Sequence, residues 1–181
     1  CATSPLGRHL HDLRWEVHGI EISDAGKVAA QGGVTIHAID LAHDWELPDN
    51  TFDFIFAGEI IEHVLDTGRF ARNLYRVAKP GGFAVITTPN IVSLENRLRS
   101  LIGVHPRWMD FGFADKEMGH CRYFTRKKMH ALLDKTGFRG ISVRTGNASV
   151  SIYGKNHKLP SVLNLLNLGT NLFAVATKPV E

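Results

Sequence analysis

Cysteine is scarce in this chain of 181 residues. Cys1 and Cys121 are the only two, and they form no CxxC pair, which excludes a disulfide framework and a zinc knuckle. A reducing cytoplasm is the compartment this implies. No run of about 18 apolar residues occurs, so membrane insertion is not expected, and no signal peptide is visible. Charge of one sign is thin as well: 21 Lys and Arg against 18 Asp and Glu leave a net +3, and only Arg126, Lys127 and Lys128 form a run. That scatter speaks for a solvated helix face and against nucleic acid as a partner. Repeats, low-complexity tracts and linkers are missing. What remains is an ordinary globular composition, 44% hydrophobic and 22% charged, enough for one domain over residues 1–181 with a sizeable core. The chain opens at Cys1 with no methionine, which reads as the interior of a longer protein.

Strand-like and helix-like segments alternate along it. Leu6, Leu10 and Leu13 in PLGRHLHDL fall at helical spacing. WEVHGIEIS reads as a strand, DAGKVAAQ as a short helix and VTIHAID as a second strand. FDFIFA is a nearly continuous apolar run, the pattern of a strand covered on both faces. Ile60, Ile61, Val64, Leu65, Phe70, Leu74 and Val77 then set an apolar stripe for a helix that follows directly and ends at KPGG, where the glycines turn the chain into FAVITT. Further on, SLENRLRSLIG puts Leu94, Leu98, Leu101 and Ile102 on one helix face. Residues 91–124, rich in aromatics and turn residues, are expected to form a lid or acceptor-binding insertion. Thr125 is the predicted N-cap of RKKMHALLDKT and Gly137 its stop. RGISVRT and NLFAVATK flank LPSVLNLLNLG and are expected to finish the sheet as a hairpin-like pair. The rhythm predicts an α/β fold with a parallel sheet.

In an open parallel sheet, ligands lie outside the carboxyl ends of the strands. Those ends carry Glu21, Asp40, Ala57 to Glu59, and Thr88 to Asn90. An acid after such a strand suits the two ribose hydroxyls of a nucleoside, and it should stand ~20 residues past a glycine-rich turn. Counting back from Glu21 leads to CATSPLG at the start of the chain.

Taken in order, CATSPLGRHL, GIEIS, AIDLA, FDFIFAGEIIEHV, RVAKPGGFAVITTPN and GHCRYFT followed by LLDKTGF resemble the motifs of class I S-adenosylmethionine-dependent methyltransferases. The similarity is to the small-molecule branch that includes ubiquinone-biosynthesis O-methyltransferase-like proteins, and it covers nearly the whole chain. It implies a Rossmann-like sheet, mostly parallel with an antiparallel last strand and helices on both faces, whose first strand is absent from this sequence. It also implies S-adenosylmethionine as cofactor and methyl transfer to a small-molecule acceptor, with oxygen the expected atom. By the same resemblance, Cys1, Ala2, Thr3 and Ser4 match the tail of the first motif, with Ala2 and Ser4 standing at its usual glycines. Glu21 matches the ribose-binding acid and Ile22 the residue against the adenine. Asp40 and Leu41 match the pair that contacts the adenine, and Ala57, Gly58 and Glu59 border the cofactor's amino acid end. A non-catalytic partner module is the alternative raised by the altered first motif, and a homodimer is an open option.

Glu59, Glu62 and His63 have two readings. On one, they charge and cap the first turn of a helix and the imidazole borders the pocket. On the other, they occupy adjacent turns of one helix face and, with His120 as fourth ligand, would hold a divalent cation. That arrangement is similar to metal-dependent 2′-O-methyltransferases acting on small-RNA 3′ ends; the metal-free reading is preferred. Methyl transfer from a sulfonium is an in-line displacement that needs alignment and, for a hydroxyl acceptor, loss of a proton. His63 and His120 are the candidate catalytic bases. Trp108, Phe111 and Phe113 read either as an acceptor lid or as satellite core, and Asn90 as acceptor-facing or turn-stabilising.

Overall fold

A computed structural model of the protein describes residues 5–109, 119–147, 149–152 and 155–180. By internal contacts the chain divides into two compact units, Cys1–Glu46 and Leu47–Glu181.

In the first unit, α1 (Pro5–Asp12) is followed by β1 (His18–Ile20), α2 (Ala25–Gln31) and β2 (Thr35–His37). Proline suits the first turn of α1, where its missing N–H would have no helical partner. β1 and β2 run parallel with His18 opposite Thr35 and Ile20 opposite His37, as a strand, helix, strand unit requires. Gly26 of α2 is buried, and a Cβ there would stand 3.1 Å from Ile36 Cγ2 and 3.3 Å from Glu21 Cγ, so the missing side chain lets the helix approach the strands. Both strands are shorter than the sequence pattern predicts.

The second unit holds β3 (Phe52–Gly58), a 3₁₀ turn at Ile61–His63, α3 (Thr67–Val77), β4 (Ala78–Pro89) and α4 (Leu94–Leu101). Then come α5 (Arg126–Thr136), β5 (Arg139–Gly146), β6 (Ser149–Ile152), β7 (Lys155–Lys158), α6 (Val162–Leu165) and β8 (Asn171–Thr177). Four strands form one sheet in the order β3-β4-β8-β5. β3 and β4 are parallel, and β8 is antiparallel to both of its neighbours. Three strands therefore point one way and the last runs against them, as expected. Small residues on one sheet face, Ala57, Ala84, Ala174 and Ala176, are buried together with Phe70 and Leu74 of α3, Met129 and Leu133 of α5, and Phe138. Each fully buried large side chain contributes about 1.5–3 kcal/mol.

Several expectations from the sequence are overturned. FDFIFA is not covered on both faces, because Phe56 is 49% exposed and only Ala57 is buried in β3; an apolar run reports strand propensity without reporting which faces are packed. No α-helix follows it directly. Glu59 adopts a left-handed φ of 50°, Val64 is extended, and α3 starts only at Thr67, where Asp66 Oδ1 accepts from Arg69 N at 2.8 Å. Leu65 is accordingly exposed rather than part of a buried stripe. On α4 the expected apolar face is turned out: Leu98, Leu101 and Ile102 are exposed, whereas Glu95 and Asn96 are buried. The cap of α5 is as predicted, with Thr125 Oγ1 accepting from Lys128 N at 3.2 Å and Gly137 at φ 111°. β5 and β8 pair as the expected antiparallel couple, while the β6–β7 hairpin was not foreshadowed by the sequence pattern.

Candidate active site

β3 and β4 are parallel neighbours, so their carboxyl ends reach the same edge of the sheet. At that edge Glu59 N donates to Thr87 O at 3.0 Å, and its left-handed turn carries the chain into the 3₁₀ segment. The turn is fixed from far along the sequence, since Cys121 N and Arg122 N both donate to Glu62 O, at 2.9 and 3.0 Å. Arg122 adds a second clasp, its Nε and Nη2 donating to Leu65 O at 2.9 and 2.6 Å. Asn90 and Phe124 form a parallel bridge beside them. These non-local bonds bring Glu62, His63 and His120 together, with one ligand-type atom from each within 4.8 Å of the others.

Glu62 is 1% exposed. Its Oε2 accepts from Thr88 Oγ1 at 2.9 Å, and its Oε1 has no hydrogen-bond partner among the described residues. Burial pushes its carboxyl above the usual range, outweighing the Thr88 hydrogen bond that opposes the shift. His63 is exposed, and its Nδ1 stands 3.2 Å from Gly119 O. His120 is buried, with Nδ1 at 3.0 Å from Trp108 O. A carbonyl only accepts, so both contacts place the ring hydrogen on Nδ1. The two rings meet edge to face with centroids 4.8 Å apart. Gly119 sits at φ 75°, a conformation natural to glycine, and this orients the carbonyl that fixes His63.

Glu59 does not join this cluster. Its Oε1 accepts from Asn171 Nδ2 at 3.3 Å, so the four-ligand set becomes three residues. Asn90 holds the backbone around it: its Nδ2 donates to Gly169 O at 2.8 Å and its Oδ1 accepts from Val92 N at 3.2 Å. Trp108 is at φ 66° and partly exposed; Phe111 and Phe113 lie outside the described residues. Thr88, one of the expected strand-end residues, bonds Glu62, and Arg107 and Tyr123, which the sequence did not point to, also line the region. Thr88 lies near the carboxyl end of β4, as expected, whereas Arg107 and Tyr123 carry no signal in the sequence.

The cofactor candidates of the first unit lie where β1 and β2 end. Glu21 N donates to His37 O at 3.1 Å, and Glu21 Oε1 accepts from Ser23 N and Oγ at 2.9 and 2.7 Å. Asp40 Oδ1 accepts from Ala42 N at 2.9 Å. Ile22 is 70% exposed. The ends of β1 and β2 thus present two oriented carboxylates, which accept hydrogen bonds, beside an uncovered branched aliphatic. In the second unit Ala57 is buried and Gly58 half-buried at the tip of β3. Cys1, Ala2, Thr3 and Ser4 lie outside the described residues.

A mixed sheet with one reversed strand, a polar cluster at the carboxyl ends of its parallel strands, and acids after β1 and β2 are features in keeping with a methyltransferase-type α/β fold. Residues 1–143 match the methyltransferase domain family, and the chain belongs to that family. The chain is 31% identical over 99 residues to the ubiquinone biosynthesis O-methyltransferase of Bradyrhizobium diazoefficiens, a match over 50% of this chain and 38% of that protein. The crystal structure of a SAM-dependent methyltransferase from Archaeoglobus fulgidus superposes with a TM-score of 0.69 at 17% identity, over 98% of this chain and 83% of that one. Phosphoethanolamine N-methyltransferase 2 of Haemonchus contortus, solved with S-adenosylhomocysteine, gives 0.58 at 20% identity, over 91% of this chain and 43% of that one. The chain spans 20% to 38% of the length of the first curated relatives it matches. No helix of the described residues is long and apolar enough to cross a membrane.

Proposed function

We propose that this protein transfers the methyl group of S-adenosylmethionine to a hydroxyl oxygen of a small-molecule acceptor, in the cytoplasm, with His63 as general base. The single observation that carries the reading is the setting of His63: its Nδ1 stands 3.2 Å from Gly119 O, which directs Nε2 to serve as the basic nitrogen of an exposed ring clustered with Glu62 and His120. When bound, S-adenosylmethionine would supply an electrophilic methyl group on its sulfonium sulfur, S-adenosylhomocysteine being the leaving group. His63 Nε2 takes the acceptor's hydroxyl proton. His120, with Nδ1 engaged by Trp108 O, orients the acceptor. Within the first unit, Glu21, Ile22, Asp40 and Leu41 are the residues assigned to the adenosine. Residues 91–124 are assigned to acceptor binding. His63→Ala should cut turnover about 100-fold while S-adenosylhomocysteine binding stays unchanged; equal turnover would reject the base.

A divalent cation is the second reading, favoured by the three converging donors and by the orphaned Glu62 Oε1. Both imidazoles give their Nδ1–H to a carbonyl, the arrangement common among metal-bound histidines. Full activity after chelation would reject it. RNA 2′-hydroxyl transfer belongs with this reading, and the scattered charge speaks against it.

A further inference from the structure

The cleft over Glu62 and His120 is walled by Trp108, Tyr123 and two arginines, Arg107 and Arg122. The arginines differ in what remains of their hydrogen-bonding capacity. Arg122 is spent on the backbone: besides the two bonds to Leu65 O, its Nη1 donates to Cys121 O at 3.0 Å. Arg107 makes one long contact, Nη1 to Glu95 Oε1 at 3.4 Å, and its Nε and Nη2 have no partner among the described residues. Its side chain is 34% exposed.

Arg107 is nonetheless held firmly. Its guanidinium carbon stands 5.3 Å from the Trp108 ring centroid, a cation–π distance. Its backbone is bracketed by Asn96, whose Oδ1 accepts from Arg107 N at 2.8 Å and whose Nδ2 donates to Arg107 O at 3.4 Å. Asn96 is 2% exposed and Glu95 5% exposed. This accounts for the inverted face of α4: the helix buries the two polar residues that fix Arg107 and leaves Leu98, Leu101 and Ile102 outside. Arg107 is thereby fixed in the wall of the cleft. Arg107 pairs with the buried Glu95 carboxylate through Nη1 alone, at 3.4 Å, which leaves the Nε and Nη2 edge of the guanidinium for a further partner.

We propose that the acceptor carries an oxyanion, a carboxylate or a phosphate, and that Arg107 binds it through Nε and Nη2 and thereby sets acceptor specificity. The fork of two parallel N–H groups matches two oxygens of such a group. The inference rests on the small-molecule reading above and names the class of acceptor for the same site.

The test is calorimetric binding to the protein saturated with S-adenosylhomocysteine, using 3,4-dihydroxybenzoate, 2-hydroxyphenyl phosphate and the neutral 4-methylcatechol. At least one of the two anions should bind roughly ten-fold or more tightly than the neutral compound, the scale of a charged hydrogen bond, and the tighter of the two identifies the oxyanion. Arg107→Met should reduce that preference to about two-fold or less without changing the affinity for 4-methylcatechol, and Arg107→Lys should keep part of it. Equal affinity for all three, binding of none, or a loss in Arg107→Met shared by anion and neutral compound would overturn the proposal. Methylation of 4-methylcatechol with no preference for anions would keep the oxygen-transfer reading and remove this one. Anion-selective binding lost in Arg107→Met, with no methylation of any probe, would do the reverse.

Discussion

Replacing Glu62 by glutamine keeps the shape of the side chain and removes its charge, which separates the structural cost of this residue from its chemical use. In the folded protein Oε2 retains the Thr88 hydroxyl at 2.9 Å, while Oε1 is buried without a donor. An unsatisfied buried acceptor costs about 1–3 kcal/mol. Because burial raises the folded pKa above the ordinary value of 4.5, the folded state holds the proton to higher pH than the unfolded state does. The stability tied to that proton is fully present below about 4.5 and is lost as pH rises through the folded pKa. Glu62→Gln has no such loss. Urea unfolding should show the two proteins nearly equal near pH 4, with the variant gaining about 1 kcal/mol over wild type by pH 8. Methyl transfer should meanwhile fall by at least about ten-fold, because an amide cannot hold a negative charge beside the bases or ligate a cation. A variant that is less stable than wild type at pH 8, or whose difference from wild type does not change with pH, would refute the burial argument.

Glu21→Ala should weaken S-adenosylhomocysteine binding about 100-fold, the loss of two charge-assisted hydrogen bonds, with the melting temperature little changed; unaltered affinity would reject its role. Asn90→Ala should cost about 2–4 kcal/mol by stranding Gly169 O and Val92 N, read from the urea midpoint, whereas a stable variant with poor acceptor binding would return Asn90 to the acceptor. Glu59→Gly should gain about 0.5–1 kcal/mol, because glycine takes the left-handed φ of 50° without strain; a destabilised variant would mean that the Asn171 contact outweighs that strain.

Features written in local chemistry could be read without the fold. Thr125 and Gly137 bracket α5 because a hydroxyl cap and a left-handed stop act within one turn. Likewise the acids after β1 and β2, the reversed last strand and the pairing of β5 with β8 follow from pattern and from the family resemblance. What was hidden depends on contacts far apart in sequence. Nothing near Glu59 announces a left-handed residue, and the 3₁₀ turn after it is held by Cys121 and Arg122, 59 and 60 residues past Glu62. Without that clasp the stripe from Ile60 to Val77 does look helical; the competing signal was Asp66, whose side chain caps the helix seven residues later than expected. The leucines of α4 misled for a different reason. Periodicity shows that a face is apolar, and it does not show which face the fold buries when Glu95 and Asn96 are needed to hold Arg107.

The most direct measurement is the fate of an isotopically labelled methyl group when the purified protein is incubated with S-adenosylmethionine and 3,4-dihydroxybenzoate, the product being located by mass spectrometry. The account predicts label on a hydroxyl oxygen, formed about 100-fold more slowly by His63→Ala. Absence of transfer, label on an atom other than oxygen, or an undiminished rate in His63→Ala would contradict it.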